Sequence, residues 1–164
     1  MLCRVRRAAT MVTTVFQRIE TWLKQQGLPF TVLRHEPVFT SEQAAAVRGT
    51  SLASGAKALV VKAGEKFVLI VLPADRKLDS KKARDFFGVK SIRFANKEEV
   101  VELTGLQPGS IPPFGSLLNL PTYCDPALAE NPSINFNAGD HSISVQMSYA
   151  DYVAAEKPIL TAVS

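Results

Sequence analysis

Two apolar runs, Ala56 to Val61 and Phe67 to Leu72, with Ala63-Gly64-Glu65-Lys66 between them, constrain the fold of this chain more than any other feature. A glycine-containing connection of that length between two strand-like runs reads as a β-hairpin. Neither run alternates apolar with polar residues, so both faces of each strand need cover. Strands of that kind are central, and the cover implies helices packed on the sheet.

The flanking segments supply those helices. Phe16, Ile19, Trp22 and Leu23 recur at helical spacing over Val15 to Gln26, ahead of Gly27. Phe30 to Leu33 reads as a strand, and Thr40 or Ser41 caps a short helix over Glu42 to Arg48 that Gly49 stops. Asp79 caps Ser80 to Phe87, Val89 to Phe94 reads as a strand, and Asn96 with Glu99 forms a capping box for Lys97 to Leu103. After Gly105 the glycine- and proline-rich stretch to Gly115 is too irregular for a helix or a sheet interior and reads as an ordered loop. Strands are expected at Thr122 to Cys124, Ile134 to Asn137 and Ser142 to Met147, then a helix from Ser148 to about Glu156. The expectation is a single α/β domain over 15–164, a mixed and mostly antiparallel β-sheet surrounded by helices.

Composition sets the outer limits. With 164 residues, 46% of them hydrophobic and 21% charged, the chain is long enough for one core and shows no linker that would divide it. The longest apolar run, Phe67 to Leu72, falls far short of the ~20 residues a membrane-spanning helix needs, so a soluble protein with no membrane partner is expected. Two cysteines, Cys3 and Cys124, make no disulfide framework and fit a reducing compartment such as the cytoplasm. The net charge of +4 looks like a nucleic-acid signature until it is located: residues 1–19 hold Arg4, Arg6, Arg7 and Arg18 and no acid, so 4 − 4 leaves zero for the rest. The stretch 1–14 reads as a basic, disordered tail. The same residues also suit a mitochondrial targeting segment, or an upstream start with Met11 as the true one.

Candidate chemistry is sparse. His35 and His141 are far apart in sequence and lack neighbours at ligand spacing, so no metal site is expected. No phosphate-cradling glycine loop or nucleophile elbow occurs, and Cys124 sits in a strand-like stretch. Nucleotide cofactors and covalent serine or cysteine catalysis are accordingly not expected. Three features stand out. Lys57 interrupts an apolar run, and a buried ammonium needs a partner; it either snorkels to water or points into a pocket toward a carbonyl or anion. The loop Gly109-Ser110-Ile111-Pro112-Pro113 either stiffly connects two elements or presents main-chain amides to a ligand. In Arg34-His-Glu-Pro-Val-Phe-Thr-Ser-Glu42, His35 is a turn residue or a catalyst, and Thr40 a cap or a binding group.

The ordered set resembles the YbaK and prolyl-tRNA synthetase insertion-domain family of aminoacyl-tRNA deacylases over roughly residues 16–160. The landmarks are His35-Glu-Pro with Thr40 and Glu42, Gly55-Ala-Lys57-Ala-Leu, Leu72-Pro-Ala-Asp-Arg-Lys-Leu-Asp79, Thr104-Gly105, Gly109 to Gly115, Asp125 and Asn137-Ala-Gly139. The resemblance implies a hydrolase that releases a small amino acid such as serine, threonine, alanine or cysteine from the 3′ end of mischarged tRNA, with no cofactor. It also implies functional roles for Lys57 and Gly109, with His35, Thr40, Ser110, Ile111, Pro112, Pro113, Gly139 and His141 around the substrate. Asn131-Pro-Ser-Ile-Asn135 stands where the alanine-editing branch carries a histidine-proline motif, which tilts the expectation slightly toward serine, threonine or a broader set. The basic run Arg76, Lys77, Lys81, Lys82 and Arg84 offers phosphate contacts. Partners implied are tRNA and an aminoacyl-tRNA synthetase or multi-synthetase complex. Two other readings stay open: a non-catalytic tRNA- or synthetase-binding adaptor of the same fold, and hydrolysis of another small ester.

Overall fold

A computed structural model of the chain describes residues 13–164; residues 1–12, with Cys3 and most of the basic tail, lie outside the described residues. The hairpin is β2 (Ala56–Ala63) and β3 (Lys66–Pro73), antiparallel over eight register pairs from Ala56↔Pro73 to Ala63↔Lys66. Around it run α1 (Val15–Gln25), β1 (Thr31–Arg34), α2 (Ser41–Arg48), α3 (Ser80–Phe87), β4 (Ile92–Phe94), α4 (Lys97–Thr104), β5 (Thr122–Cys124), β6 (Ser133–Asn137), β7 (Ile143–Ser148), α5 (Tyr149–Glu156) and β8 (Ile159–Leu160).

Local chemistry sets most of these boundaries. Thr40 accepts the Gln43 amide at 3.1 Å, and Asp79 accepts those of Lys81 and Lys82 at 3.0 Å. Asn96 and Glu99 close a reciprocal capping box. Gly49, Gly88 and Gly105 end α2, α3 and α4 in left-handed conformation. The strand expected over Val89 to Phe94 begins only at Ile92. The Val89 amide donates back to Arg84 O at 3.1 Å to close α3, so it is not free for a ladder.

The mixed sheet comes in two parts. A five-stranded sheet has the order β4-β2-β3-β5-β8, with β5 parallel to β3 and β8 parallel to β5; a three-stranded antiparallel sheet has the order β1-β7-β6. One bridge, Gly55↔Asn135, joins them. β3 is buried on both faces: Leu69 and Val71 pack into a large core with α1, Phe136 and Val145, while Val68, Ile70 and Leu72 pack into a smaller one with Ala83 and Val163. The glycine- and proline-rich loop is anchored by Phe114, wholly buried and edge-on to Trp22 at 5.3 Å, Phe136 at 5.3 Å and Tyr152 at 5.4 Å. The Tyr152 hydroxyl donates to Pro113 O at 2.8 Å.

No described helix is long and apolar enough to cross a membrane. Because Ile70 has no exposed surface and lies mid-ladder opposite Leu59, Ile70→Ala should cost about 2–5 kcal/mol of stability, read from the shift of the urea unfolding midpoint at unchanged slope.

Candidate active site

A cavity of about 180 Å³ opens where the two sheets meet, between the start of β2, the inner face of α2, the loop around Gly109 and the end of β6. Its walls are small and mostly apolar: Ala44, Ala45, Leu52, Ala56, Ala58, Ile111 and Phe136. Thr40, Ser41, Arg48, Ser51, Lys57 and Asn137 are the polar groups that decide what such a cleft can bind.

Lys57 is the second residue of β2, paired with Leu72. It is half-buried, and its Nζ donates to Arg76 O at 2.7 Å. Desolvation by burial pulls its pKa below the ordinary lysine value; nearby Lys77 pulls the same way, while Glu42 and Asp75 oppose both. One carbonyl satisfies one of three donors, so the ammonium keeps hydrogen-bonding capacity in the cleft.

A directed hydrogen-bond chain leads from His35 and Ser144, outside the lining, to Arg48, Asn137 and Gly109 within it. The His35 ring meets Glu36 O through Nδ1 at 2.7 Å, so Nδ1 carries the proton and Nε2 accepts from Ser144 Oγ at 2.7 Å. Ser144 Oγ in turn accepts from Arg48 Nε at 2.8 Å, and Arg48 Nη2 donates to Asn137 Oδ1 at 2.9 Å. Asn137 Nδ2 completes the chain by donating to Gly109 O at 2.7 Å. Burial brings the Arg48 pKa down to about 10, so the guanidinium is still a cation at neutral pH.

The loop turns at Gly109, whose φ of +87° a side chain rarely adopts. The amides of Gly109 and Ile111 have no hydrogen-bond partner among the described residues, whereas Pro112 and Pro113 have no N–H to offer. The loop thus leaves two main-chain donors free beside the cleft.

The residues singled out in the sequence separate into two layers. Thr40, Lys57, Gly109 and Ile111 line the cleft. Ser110, Pro112 and Pro113 are buried behind it; the Ser110 carbonyl accepts the Gly139 amide at 2.9 Å and its hydroxyl donates to Gln107 O at 2.7 Å. His35 is a turn residue tied to β7. His141 backs the rim, its ring 4.8 Å from that of Phe39 and its Nδ1 3.1 Å from Val38 O. Cys124 is wholly buried, and desolvation, with the Asp125 charge, pushes its thiol up to about 12.

Sequence reasoning passed over Arg48, Asn137, Ser144 and Phe39 as site residues. The one available signal was a cation on an otherwise alanine-rich helix, Ala44-Ala-Ala-Val-Arg48, on the side that faces the sheet. Asn131 donates to Ala53 O at 3.0 Å and so steadies the turn that carries Leu52 into the cleft.

Comparison with known proteins extends these observations. The model of the aminoacyl-tRNA editing domain family matches residues 35–155. The multifunctional Ser/Thr-tRNA deacylase ProXp-y of Escherichia coli K12 is 39% identical over 149 residues, 88% of this chain and 89% of that protein. A proline–tRNA ligase of Bacillus licheniformis is 34% identical over 92 residues, 56% of this chain but 16% of the ligase. A crystal structure described as that of a candidate trans-editing enzyme for prolyl tRNA synthetase superposes with a TM-score of 0.79 at 25% identity, over 93% of this chain and 98% of the other.

Two glycines of the site should differ in tolerance. A Cβ at Gly109 would stand 3.4 Å from His141 Cε1, ordinary contact, so Gly109→Ala should cost only the left-handed strain of about 1–2 kcal/mol. At Gly139, φ +81°, a Cβ would press on Val15 at 2.9 and 3.0 Å. Gly139→Ala should therefore lower the urea midpoint further than Gly109→Ala.

Proposed function

The chain belongs to the aminoacyl-tRNA editing domain family, and we propose from that premise that it is a trans-editing deacylase acting on tRNA mischarged with serine or threonine. It hydrolyses the ester between a small amino acid and the terminal ribose of tRNA. The observation that carries this reading is the convergence of the Lys57 ammonium and the free amides of Gly109 and Ile111 on one small-walled cleft.

The chemistry follows from those groups. Water attacks the ester carbonyl carbon, negative charge develops on the carbonyl oxygen, and the C–O bond to the ribose breaks as that oxygen takes up a proton. Donors fixed in advance around the oxyanion are worth the most at this step; removing one costs about 10²–10³ in rate in comparable sites. Gly109 and Ile111 supply such donors, and Lys57 orients the ester. Thr40 and Ser51 hydroxyls are engaged as helix caps, accepting from the amides of Gln43 and Ser54, which fits a mechanism in which a ribose hydroxyl of the substrate rather than a protein nucleophile delivers the water.

Selectivity explains the need for such an enzyme. One methylene is worth about 1–3 kcal/mol to a synthetase pocket, so mischarging is unavoidable and a second sieve restores accuracy. The walls Ala44, Ala45, Ala56 and Ala58 suit a short side chain. Positive charge continues outward from the cleft through the exposed Arg76, Lys77 and Lys81, on the path an acceptor stem would take. Similarity to proline–tRNA ligases supports association with a synthetase.

The test is deacylation of tRNAs charged with serine, threonine, alanine and cysteine, with wild type and Lys57→Ala at low salt. Serine and threonine release is expected from wild type, and at least about 100-fold less from Lys57→Ala. A protein that binds tRNA but releases nothing would be an adaptor instead.

A further inference from the structure

Arg48 has no role in the ester chemistry, yet its guanidinium is the largest buried charge in the cleft. No carboxylate lies within ion-pair distance of it among the described residues. Nε and Nη2 are held by Ser144 Oγ and Asn137 Oδ1 at 2.8 and 2.9 Å, which fixes the plane of the group. Nη1 has no hydrogen-bond partner among the described residues, and a Cβ built on Gly55 would stand 4.0 Å from it, at the cleft wall. A guanidinium has five N–H donors and no acceptor, so the cleft contains a rigid, partly desolvated donor that awaits an oxygen.

We propose that Arg48 is the specificity-determining residue, its Nη1–H donating to the side-chain hydroxyl oxygen of a seryl or threonyl group. The proposal rests on the deacylase reading above. Among the other polar groups of the cleft, Asn137 is bonded to Arg48 and Gly109 O, Thr40 Oγ1 and Ser51 Oγ each accept a backbone amide, and Lys57 with the Gly109 and Ile111 amides serves the ester, which leaves Nη1 as the fixed cationic donor for the substrate side chain. A substrate with a methyl in place of the hydroxyl would seal the cleft and strand Nη1 without a partner. Sites built to hydrogen-bond a hydroxyl reject the analogue lacking it far more strongly than apolar pockets reject a methylene. The donor sits on α2 beside Ala44 and Ala45, so selection by hydrogen bond and selection by size act on the same side chain. A phosphate at Nη1 would bring affinity without telling one amino acid from another.

The experiment compares two esters on the same tRNA, serine and 2-aminobutyrate, which replaces the serine hydroxyl by a methyl. Wild type should release serine at least about 10-fold faster. Arg48→Met should bring that ratio close to one, because it slows serine release far more than the release of 2-aminobutyrate, which loses only what the tie to Ser144 and Asn137 contributes. Arg48→Lys, with the charge but not the fixed fork, should fall between the two. A wild-type ratio near one overturns the proposal, and it needs no variant to fold. So does an Arg48→Met protein that slows both esters equally, the mark of a phosphate contact or of a structural tie. Release of neither ester, nor of any amino acid, by wild type is a separate result: it removes the deacylase reading and this proposal with it.

Discussion

Burial of the β2–β3 ladder on both faces is the constraint from which the site follows. Eight pairs run from Ala63↔Lys66 at the turn to Ala56↔Pro73 at the open end. On one face Val60, Leu69 and Val71 meet the large core; on the other Val61, Ile70 and Leu72 meet the smaller one. An ammonium in the middle of that ladder would cost several kcal/mol. Lys57 lies one pair from the open end, where the chain leaves β3 through Ala74 and Asp75 and Arg76 O turns back to receive it. The hairpin therefore carries Lys57 near its open end, beside the cleft, while Lys62 and Lys66 stand at the turn end.

The second support is the hydrogen-bond chain from His35 to Gly109. It ties α2, β6, β7 and the loop through four side chains, and every donor in it has a single acceptor to choose. Phe114, clamped between Trp22, Phe136 and Tyr152, holds the far end of the same loop from the core side. Free amides are useful only if they do not move when charge develops, and the two anchors supply that rigidity from opposite directions.

How much of this was legible in the sequence depends on range. Caps and stops are read from three or four consecutive residues, so Thr40, Asp79 and the Asn96–Glu99 box were visible, as were the hairpin and the buried character of β3. The division into two sheets was not, because it depends on pairing Thr31 with Gln146 and Leu69 with Thr122, partners that no local pattern announces. Lys57 was visible because it broke an apolar run. Arg48 was hidden, since an arginine just before a helix-ending glycine is ordinary, and its meaning lies in Ser144 and Asn137, both distant in sequence. The resemblance named the loop but could not separate Gly109 and Ile111, which face the cleft, from Pro112, Pro113 and Gly139, which hold them there.

The lining of the cleft has one more consequence. None of its residues carries sulfur, and the described cysteine, Cys124, lies apart from it, wholly buried with its thiol held protonated. Oxidants attack thiolates first and exposed thioethers next. Peroxide reaching this cleft meets alanine, phenylalanine, hydroxyls, an amide, an ammonium and a guanidinium, none of them readily oxidised. A cleft lined in this way offers an oxidant no sulfur to convert.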